Sequence, residues 1–391
     1  MTLRRQSSDN MRVAINLLTD DPGNPSGAHW FWTRVIREMA GMLAEGEELA
    51  LVVGRRSKGM HQGYGRGVRY LTFPWSNERR NLRTLSEQAY APVRLPLAGV
   101  DVFSTLIAPL VRPAPGVVAH IKTMHVFTAP ESVNPAVRLY RSIGYPHTAK
   151  AADAIILNSQ SLRTEVLRYL DVDPAKLRMI PEAVDHEVFR PGDPVEAATR
   201  LRARYGVARP FVLFVSSLWP YKNCDGLIRA FAAARPHLDG HGLVVVGPGR
   251  DTAYAARLRS LAESLGVGDD VTWVGGVSLE ETVDFYRAAD VFVYPSHNET
   301  FGLPLLEAMA CGCPVVTSDR TAMPETAGGA AVLADPDEPD SIASAILTAL
   351  AEAEALRPRG LQRAGEFTWR HTAKRTLEVY REVHANRRGR R

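Results

Sequence analysis

The chain has 391 residues, of which 45% are hydrophobic and 23% charged, values typical of a globular protein too long for one hydrophobic core. Its net charge of +4 is too small to indicate nucleic-acid binding, no apolar run is long enough to span a membrane, and the polar N-terminus lacks the apolar core of a signal peptide. Cys224, Cys311 and Cys313 fit neither a disulfide framework nor a metal-ligand spacing, so we interpret them as small core residues in a reducing cytoplasm.

The first half of the chain alternates short apolar runs, which predict strands, with amphipathic segments, which predict helices. In chain order these are the strand RVAINLL, the helix HWFWTRVIREMAGMLAEG ending at Gly46, the strands ELALVVG, VRYLTFP, VDVFST and VVAHIKTMH, the helix AVRLYRSIGYPHTAKAA, the strand DAIILNS, the helix QSLRTEVLRYL and the closing segment LRMIPEAVD.

A linker with Pro191, Gly192, Asp193 and Pro194 interrupts this alternation. The alternation then restarts with FVLFVSS, CDGLIRAFAAARPHL, GLVVVGPG, YAARLRSLAESLG, DVTWVGG, LEETVDFYRAA, DVFVYPS, PLLEAMACG, CPVVTSD, AMPETAGG, AAVLADP and PDSIASAILTALAE. Strands that alternate with helices imply parallel sheets joined by right-handed crossovers. The predicted fold class is therefore α/β, with two Rossmann-like doubly wound parallel-sheet domains facing across a cleft. Ligands of such sheets bind outside the carboxyl ends of the strands.

The segment from His297 to Glu307, HNETFGLPLLE, joins an apolar strand to a helix whose first position suits Pro304. The backbone N–H groups of residues 301–303 would be free near the helix N-terminus, which makes an anion site. A carboxylate at Glu307 would suit a diol such as ribose, and Glu299 would suit hydroxyls on the other side of the anion. This order of ribose, diphosphate and sugar predicts a nucleotide-sugar site.

The segment NETFGLPLLEAMACGCPVV resembles the E-x7-E region of family-4 retaining glycosyltransferases of the GT-B fold, also called group 1 glycosyltransferases. The similarity runs over about residues 11–384 and is strongest from Pro210 onward. It implies an acceptor-binding domain over residues 1–195, a nucleotide-sugar-binding domain over 196–365, and a C-terminal helix within 366–391 that returns to the first domain before a basic tail. The implied reaction is the transfer of a hexosyl group from a nucleoside-diphosphate sugar to an acceptor hydroxyl with retention of configuration.

The resemblance also assigns catalytic residues. Lys222, in SSLWPYKNCDGLI, matches the lysine that binds the diphosphate, and Glu299 matches a residue that binds sugar hydroxyls. The arginine of the family pattern falls on Ser217, as it also does in a subset that carries T-L-x-P-R-K-N, so one cation is absent. His125 matches a histidine that contacts the donor sugar, although Val126 stands where an aspartate is common. Outside this pattern Lys222 would be read as a solvated lysine and His125 as a structural one.

Several further positions are expected to bind the donor. Gly27 matches the glycine loop of the family, or simply starts a helix, and Gly247 either forms a turn or leaves room for the nucleotide. By resemblance the backbone of Val274–Val277 meets the base. The expected donor-binding set is Gly27, Ser217, Gly247, Val274, Gly275, His297, Asn298, Thr300, Phe301, Gly302, Leu303 and Glu307.

We expect neither a metal nor a cofactor, because the pairs at Asp171–Asp173 and Asp335–Asp337 are not predicted to follow a cleft strand. Lys222 and the helix N-terminus would replace a cation. Two rival functions stay open at this stage: a GT-B-like nucleotide-sugar epimerase that needs no acceptor, and a nucleotide-sugar-binding protein without turnover. The missing G-x-G-x-x-G pattern disfavours an NAD-dependent dehydrogenase.

The expected partners are a nucleotide-sugar donor and an acceptor that is a glycan, a lipid-linked glycan or a small natural product, with no nucleic acid. From Arg55 to Arg94 the chain has nine Arg or Lys against two Glu. This basic segment is either a solvated surface or a contact for an anionic acceptor or an acidic membrane. The expected location is cytoplasmic, as the cysteines indicate. The basic segment leaves open a peripheral position at the inner membrane face.

Overall fold

The structure is a computed structural model that describes residues 10–21, 27–73, 84, 86–111, 113–130, 133–207, 210–249 and 251–389. The expectation of a loose N-terminal lead-in falls almost entirely outside these residues. So do residues 22–26 of the expected glycine loop and residues 74–83 and 85 of the basic segment.

The chain divides by its contacts into two compact units, each built on a parallel sheet. Unit 1 comprises Met1–Pro181 and Trp369–Arg391, and unit 2 comprises Glu182–Thr368. Residues 182–195, which the sequence analysis placed in the first domain, thus belong to unit 2 by their contacts. The sheets and helices confirm the predicted α/β class with two Rossmann-like parallel-sheet domains.

Unit 1 contains a seven-stranded sheet in the order β3-β2-β1-β4-β5-β6-β7, with every described pair parallel. Its strands are β1 Arg12–Asn16, β2 Glu48–Gly54, β3 Val68–Phe73, β4 Val102–Thr105, β5 Gly116–His120, β6 Ala154–Leu157 and β7 Leu177–Met179. Its helices are α1 Gly27–Ala40, α2 Ala91–Leu97, α3 His125–Thr128, α4 Pro135–Ala151, α5 Gln160–Tyr169 and, from the end of the chain, α14 Trp369–Arg388. The interior strands are buried on both faces, which explains their continuous apolar sequences.

Unit 2 contains a six-stranded parallel sheet in the order β10-β9-β8-β11-β12-β13. Its strands are β8 Phe211–Val215, β9 Gly242–Val246, β10 Val271–Gly275, β11 Val291–Tyr294, β12 Val315–Ser318 and β13 Val332–Ala334. Its helices are α6 Pro194–Tyr205, α7 Cys224–Ala234, α8 Thr252–Ser264, α9 Leu279–Ala288, α10 Leu303–Ala310, α11 Met323–Ala327, α12 Pro339–Ala351 and α13 Ala353–Gly365.

The C-terminal helix α14 packs on the core of unit 1. Its apolar residues Ala373, Leu377, Tyr380 and Val383 recur every three or four positions, and all four are buried with residues of β1, β2 and α1. The hydroxyl of Tyr380 donates a hydrogen bond of 2.7 Å to Oγ of Ser104, so its polar end is also satisfied within the core. Unit 1 is therefore completed by a segment distant from it in sequence.

Three local predictions were wrong. The first helix ends at Ala40 rather than at Gly46, which lies in a turn with φ 87°. The strand predicted to reach His125 ends at His120, and His125 begins the short helix α3. Pro304 is the second residue of α10, not the first. Each error displaces the boundary of a helix or strand by a few residues. Hydrophobic periodicity predicts such boundaries less reliably than the presence of the element itself.

The interpretation of the cysteines as core residues is confirmed. Cys224, Cys311 and Cys313 are all buried and free. Burial raises the pKa of the Cys311 thiol to about 12, so this group stays protonated and unreactive at neutral pH.

Candidate functional site

The site of unit 2 lies where the strand order reverses. From β8 the chain proceeds to β9 and β10 on one side and then returns to β11 on the other, so β8 and β11 are adjacent and parallel. Such a switch point leaves a crevice at the carboxyl ends of the two strands. Lys222 follows β8 and Glu299 follows β11, and the fold brings these two residues into contact although they are 77 positions apart.

Lys222, Tyr294 and Glu299 form a compact cluster of polar groups. The Lys222 ammonium donates to Oε1 of Glu299 and, over 2.6 Å, to the hydroxyl of Tyr294, which itself donates to Glu299 Oε1 over 2.6 Å. The side chains of Lys222 and Glu299 are only 13% and 14% exposed. The ring centroid of Tyr221 lies 4.8 Å from Lys222 Nζ, a cation–π distance. The cluster holds one cation and one anion beside each other in a shielded position.

The electrostatics of the cluster keep Lys222 charged. Burial disfavours the ammonium, but Tyr294 and Glu299 outweigh this effect and raise the pKa of Lys222. Burial and the neighbouring Glu299 carboxylate likewise raise the pKa of Tyr294, so its hydroxyl stays neutral and able to donate. Lys222 is therefore positively charged at neutral pH. An anionic ligand could bind its ammonium by replacing either Tyr294 or Glu299 as a hydrogen-bond partner.

The start of α10 lies directly after this cluster. Gly302 caps the helix with φ 95°, in the left-handed region that favours glycine. Within the described part of the chain, the amides of Phe301, Gly302 and Leu303 donate to no protein acceptor. A Cβ added at Gly302 would meet the end of the flexible Met323 side chain, which can move, so the positive φ rather than packing is the reason for glycine at this position. The predicted group of free amides at a helix N-terminus is thus present.

Glu307 lies one turn into α10, and its carboxylate accepts a hydrogen bond of 3.2 Å from the hydroxyl of Tyr286. Burial raises the pKa of Glu307 to about 7, and the Tyr286 contact opposes this shift only partly. The residue as a whole is partly buried. The carboxylate would act as an acceptor for a diol when it is ionised.

The loops after β8, β9 and β10 are joined to one another through their backbones. The amide of Gly247 donates to the carbonyl of Gly275 over 2.7 Å, and the amide of Leu218 donates to the carbonyl of Pro248 over 3.1 Å. Gly247 has φ 139°, and an added Cβ would overlap the Ser216 carbonyl. Gly247 and Gly275 therefore lie together beside Ser217, as the donor-binding set requires, while their roles in binding stay predictions.

We expect Gly247→Ala to lower the apparent melting temperature by roughly 4–8 °C. Backbone strain and steric overlap of this kind cost about 2 kcal/mol, and the size of unit 2 determines the shift in melting temperature that this cost produces. Gly276→Ala is the matched control, since its added Cβ would meet only ordinary contacts with Pro248 at 3.9 Å. Thermal unfolding followed by circular dichroism measures both variants. Equal melting temperatures for the two variants would contradict the described loop conformation.

The remaining predicted residues divide between the two units. In unit 2 the amide of His297 donates to the Tyr221 carbonyl over 2.9 Å, and its ring lies 3.3 Å from Asp337. Asn298 and Thr300 are partly exposed in the same loop, and Val274 is partly exposed at the end of β10. Gly27 and His125 belong to unit 1, where Gly27 begins α1 and the amide of His125 donates to Oγ1 of Thr123 over 3.1 Å.

Other residues of the unit 2 site escaped the sequence analysis. Asn223 caps α7 with φ 59° and donates to the carbonyls of Pro295 and Pro336, which fixes the loop carrying Lys222 against the loop after β11. Thr321 has φ 51°, a strained value for a β-branched residue, and accepts a hydrogen bond of 3.1 Å from the Glu299 amide. An asparagine before a helix signals a cap, but no local pattern indicated Thr321.

The pair at Asp335–Asp337 is placed differently from the expectation. It directly follows β13, at the carboxyl end of a parallel strand, rather than lying merely near the C-terminal helix. Arg320 contacts both carboxylates and the His297 ring contacts Asp337, so one guanidinium and one imidazole face the pair. Metal-independent catalysis stays a prediction.

Unit 1 contains a cavity of about 560 Å³ at the carboxyl ends of β4 and β5. Its lining is mixed, with two cations, one anion, hydroxyls and apolar groups: Thr19, Ala28, Thr84, Glu87, Thr105, Leu106, Ile107, His120, Lys122, Thr123, Ala136, Val137, Tyr140, Arg141 and Tyr145. Burial and the nearby Lys122 ammonium lower the pKa of His120 well below its usual value, so this histidine is neutral at pH 7. The sequence analysis had named none of the charged residues of this cavity.

Five of the six described cations of the basic segment are exposed: Arg55, Arg56, Lys58, Arg66 and Arg94. Arg69 is partly buried, pairs with Glu48 and donates to the Ala98 carbonyl. Among the described helices, none combines the length and the apolar character that a membrane crossing requires.

Two Rossmann-like parallel-sheet domains, one of them with a lysine–tyrosine–glutamate cluster after β8 and β11, are the architecture of GT-B glycosyltransferases. Residues 200–362 match the family model described as glycosyl transferases group 1, and residues 32–188 match that of glycosyltransferase family 4. These two matches account for most of the chain. The chain belongs to this family of glycosyltransferases, as its resemblance predicted.

Curated relatives support this assignment. The chain is 39% identical over 262 residues to a D-inositol 3-phosphate glycosyltransferase of Kineococcus radiotolerans. The aligned region covers 62% of this chain and 60% of the relative. It is 36% identical over 255 residues to the protein of that name from Geodermatophilus obscurus, covering 61% of this chain and 55% of the relative. The chain thus matches little more than half the length of these relatives.

Solved structures share the fold. A sucrose-phosphate synthase from Thermosynechococcus elongatus superposes with a TM-score of 0.75 at 20% identity, over 96% of this chain and all of that one. The Anabaena protein Alr3699/HepE in complex with UDP-glucose superposes with a TM-score of 0.66 at 18% identity, over 97% of this chain and all of that one. At these identities the similarity concerns the fold alone.

Proposed function

We propose that the protein transfers a hexosyl group from a nucleoside-diphosphate sugar to a hydroxyl of an acceptor, with retention of anomeric configuration and without a metal ion. The observation that carries this proposal is the Lys222–Tyr294–Glu299 cluster beside the free amides at the start of α10. A fixed ammonium and a helix N-terminus suit a diphosphate, and carboxylates before and after them suit the hydroxyls of sugar and ribose.

The proposed reaction takes place on one face of the sugar. The bond between the anomeric carbon and the diphosphate oxygen breaks, and the acceptor oxygen bonds to the same face. The acceptor proton passes to the departing phosphate oxygen, so charge and atoms balance without a protein nucleophile. Lys222 and the α10 amides stabilise the negative charge that grows on the diphosphate, a contribution that preorganised groups make without reorganising. Glu299 would hold the sugar hydroxyls during this step.

The acceptor is proposed to bind in the unit 1 cavity. Lys122 and Arg141 give this cavity two cations against the single carboxylate of Glu87. A phosphorylated polyol fits this charge balance, and the name of the curated relatives, D-inositol 3-phosphate glycosyltransferase, supports that class of acceptor. The 560 Å³ volume is sufficient for a small molecule of this kind.

We expect Lys122→Ala to raise KM for a phosphorylated acceptor about 10- to 100-fold, since hydrogen bonds to charged groups contribute about 1.5–3 kcal/mol. Hydrolysis of the donor in the absence of acceptor should stay within about twofold, because the donor diphosphate is assigned to Lys222 and the α10 amides of unit 2 and Lys122 is not in the predicted donor-binding set. Lys150→Ala, whose side chain is 70% exposed, serves as the control. An unchanged acceptor KM would exclude this cavity as the phosphate site.

The experiment that tests the proposed function mixes the protein with UDP-, GDP- and ADP-sugars, alone and with polyol phosphates, and follows products by NMR. Transfer with the donor's anomeric configuration supports the proposal. Conversion of a donor alone into a different sugar nucleotide would establish the epimerase instead. Stabilisation of the protein by donors without any product would establish a binding protein, and an inverted product would contradict retention.

We expect donor binding to weaken about tenfold between pH 8 and pH 6. With a pKa of about 7, Glu307 is protonated below that pH and then cannot accept hydrogen bonds from a diol at both oxygens. The probe should be a nucleotide sugar, since its diphosphate lacks the terminal phosphate group whose second pKa is about 6. Calorimetry measures the dissociation constants. Glu307→Gln should bind weakly at both values, and a wild-type constant that changes less than twofold would contradict the assigned role.

A further inference from the structure

Three side chains of unit 1 that take no part in the proposed transfer converge in the protein interior. Asp20 lies in the turn after β1, His29 in the first turn of α1, and His61 beyond β2. Oδ2 of Asp20 lies 3.0 Å from Nδ1 of His29 and 2.7 Å from Nε2 of His61. The ligand atoms of all three residues lie within 4.8 Å of one another. We propose that Asp20, His29 and His61 bind a divalent transition-metal ion, for which Zn²⁺ is the best match.

The donor set selects this class of ion. Two imidazoles with one carboxylate are a common protein ligand set for zinc, whereas magnesium and calcium prefer oxygen ligands alone. Tetrahedral bonds of about 2.0–2.2 Å place neighbouring ligand atoms roughly 3.4 Å apart. The observed separations of 3.0 and 2.7 Å are shorter than this by less than about 1 Å, so small outward movements of the side chains would admit an ion.

The burial of these three side chains gives an electrostatic reason for a cation to bind among them. The side chains of Asp20 and His61 are fully buried, and that of His29 is 8% exposed. Asp20 has its carboxyl group enclosed by two imidazole rings in the protein interior, where an uncompensated charge is costly. A divalent cation would compensate that charge and bind all three groups. Hydrogen bonds from two N–H groups to the carboxylate are the competing arrangement, which would bind no metal.

Tyr64 supports the orientation of one ligand. Its hydroxyl lies 3.2 Å from Nδ1 of His61, on the ring edge opposite the atom that faces Asp20. Metal-bound histidines usually have a hydrogen-bond partner at the second ring nitrogen, and this partner fixes the tautomer. A bound ion would connect the turn after β1, the start of α1 and the segment after β2. The proposed ion would hold these three segments of unit 1 together, and the proposal does not depend on the catalytic prediction for unit 2.

The test uses the full chain, stripped with a chelator, dialysed and then titrated with Zn²⁺, with Co²⁺ as the spectroscopic probe. We expect about one bound ion per chain, a visible Co²⁺ absorption from nitrogen and oxygen ligands, and a higher apparent melting temperature in Zn²⁺ because the ion binds the folded state. Asp20→Asn and His61→Gln should lose all three responses. His297→Gln, which removes an exposed histidine beside Asp337 in unit 2, should keep them.

The wild-type chain by itself can overturn the proposal, so failure of a variant to fold does not protect it. Stripped wild type that neither binds Zn²⁺ nor gains thermal stability contradicts the site. Retention of stoichiometric Zn²⁺ binding by a folded Asp20→Asn or His29→Gln variant would place the ion elsewhere and would also contradict it. Loss of glycosyl transfer with intact zinc binding would concern the proposed function alone.

Discussion

Replacing Lys222 with alanine is expected to lower kcat/KM for glycosyl transfer about 100- to 1,000-fold, the loss typical when one preorganised group for developing charge is removed. Lys222 is the single lysine of residues 182–368, and its ammonium is held beside Tyr294 and Glu299. No other lysine of unit 2 can therefore substitute for it. Steady-state rates with a saturating acceptor measure the effect.

Two controls separate catalysis from stability in this experiment. Lys374→Ala removes an exposed lysine of α14 and should leave the rate within about twofold, since surface substitutions have small effects. The double variant Lys222→Ala/Glu299→Gln removes the cation together with the charge of the carboxylate that it leaves behind. The double variant should regain part of any stability lost by the single variant, yet remain inactive. Wild-type transfer by a folded Lys222→Ala chain would refute the diphosphate role.

Replacing Glu299 with glutamine is expected to lower kcat/KM about 10- to 100-fold, because a hydrogen bond to a charged acceptor contributes about 1.5–3 kcal/mol. The effect should be selective. Affinity for the nucleoside diphosphate alone should change by less than about threefold, whereas affinity for the complete nucleotide sugar should fall, since Glu299 is assigned to the sugar. Calorimetry with both ligands and steady-state kinetics give the comparison.

Glu280→Gln is the matched control for this change, because Glu280 is exposed in the first turn of α9 and lies outside the cluster. Tyr294→Phe tests whether the Tyr294 hydroxyl holds the Glu299 carboxylate in position, since it deletes the hydrogen bond of 2.6 Å that this hydroxyl donates to Glu299. A Glu299→Gln variant that loses affinity for diphosphate and nucleotide sugar equally would assign Glu299 to the cluster's stability rather than to the sugar.

The local structure around the start of α10 could be predicted from the sequence, because its strand, turn and helix are consecutive segments of the chain. The apolar run of β11 predicted a buried parallel strand, and Gly302 with Pro304 predicted a helix start close to its position. Glu299 and Glu307 are fixed on either side of that start by chain geometry alone. Lys222, in contrast, was identified through resemblance, since a lysine in a loop carries no local signal of its partner.

The unit 1 cavity shows the opposite case. Glu87 lies in the segment predicted as a basic surface, Lys122 in a predicted strand and Arg141 in a predicted helix, and no sequence spacing connects the three residues. They line one cavity because β1, β4 and β5 are neighbours in the sheet, an order that local patterns do not encode. The Asp20, His29 and His61 cluster was missed for the same reason, as its members lie on three separate segments.

The sequence by itself determined the alternation of strands and helices, the division of the chain into two such runs and the turn that exposes amides before α10, whereas the contacts placed the division at Pro181, about ten residues before the break predicted near Pro191. These features depend on hydrophobic period, helix caps and glycine or proline geometry, all of which act over a few residues. Only the tertiary structure decided that Lys222 meets Glu299 through Tyr294, that α14 completes unit 1, and that a carboxylate and two imidazoles share one buried point. Those contacts follow from strand order and long-range packing, in which the partner of a side chain is set by the fold and not by its neighbours along the chain.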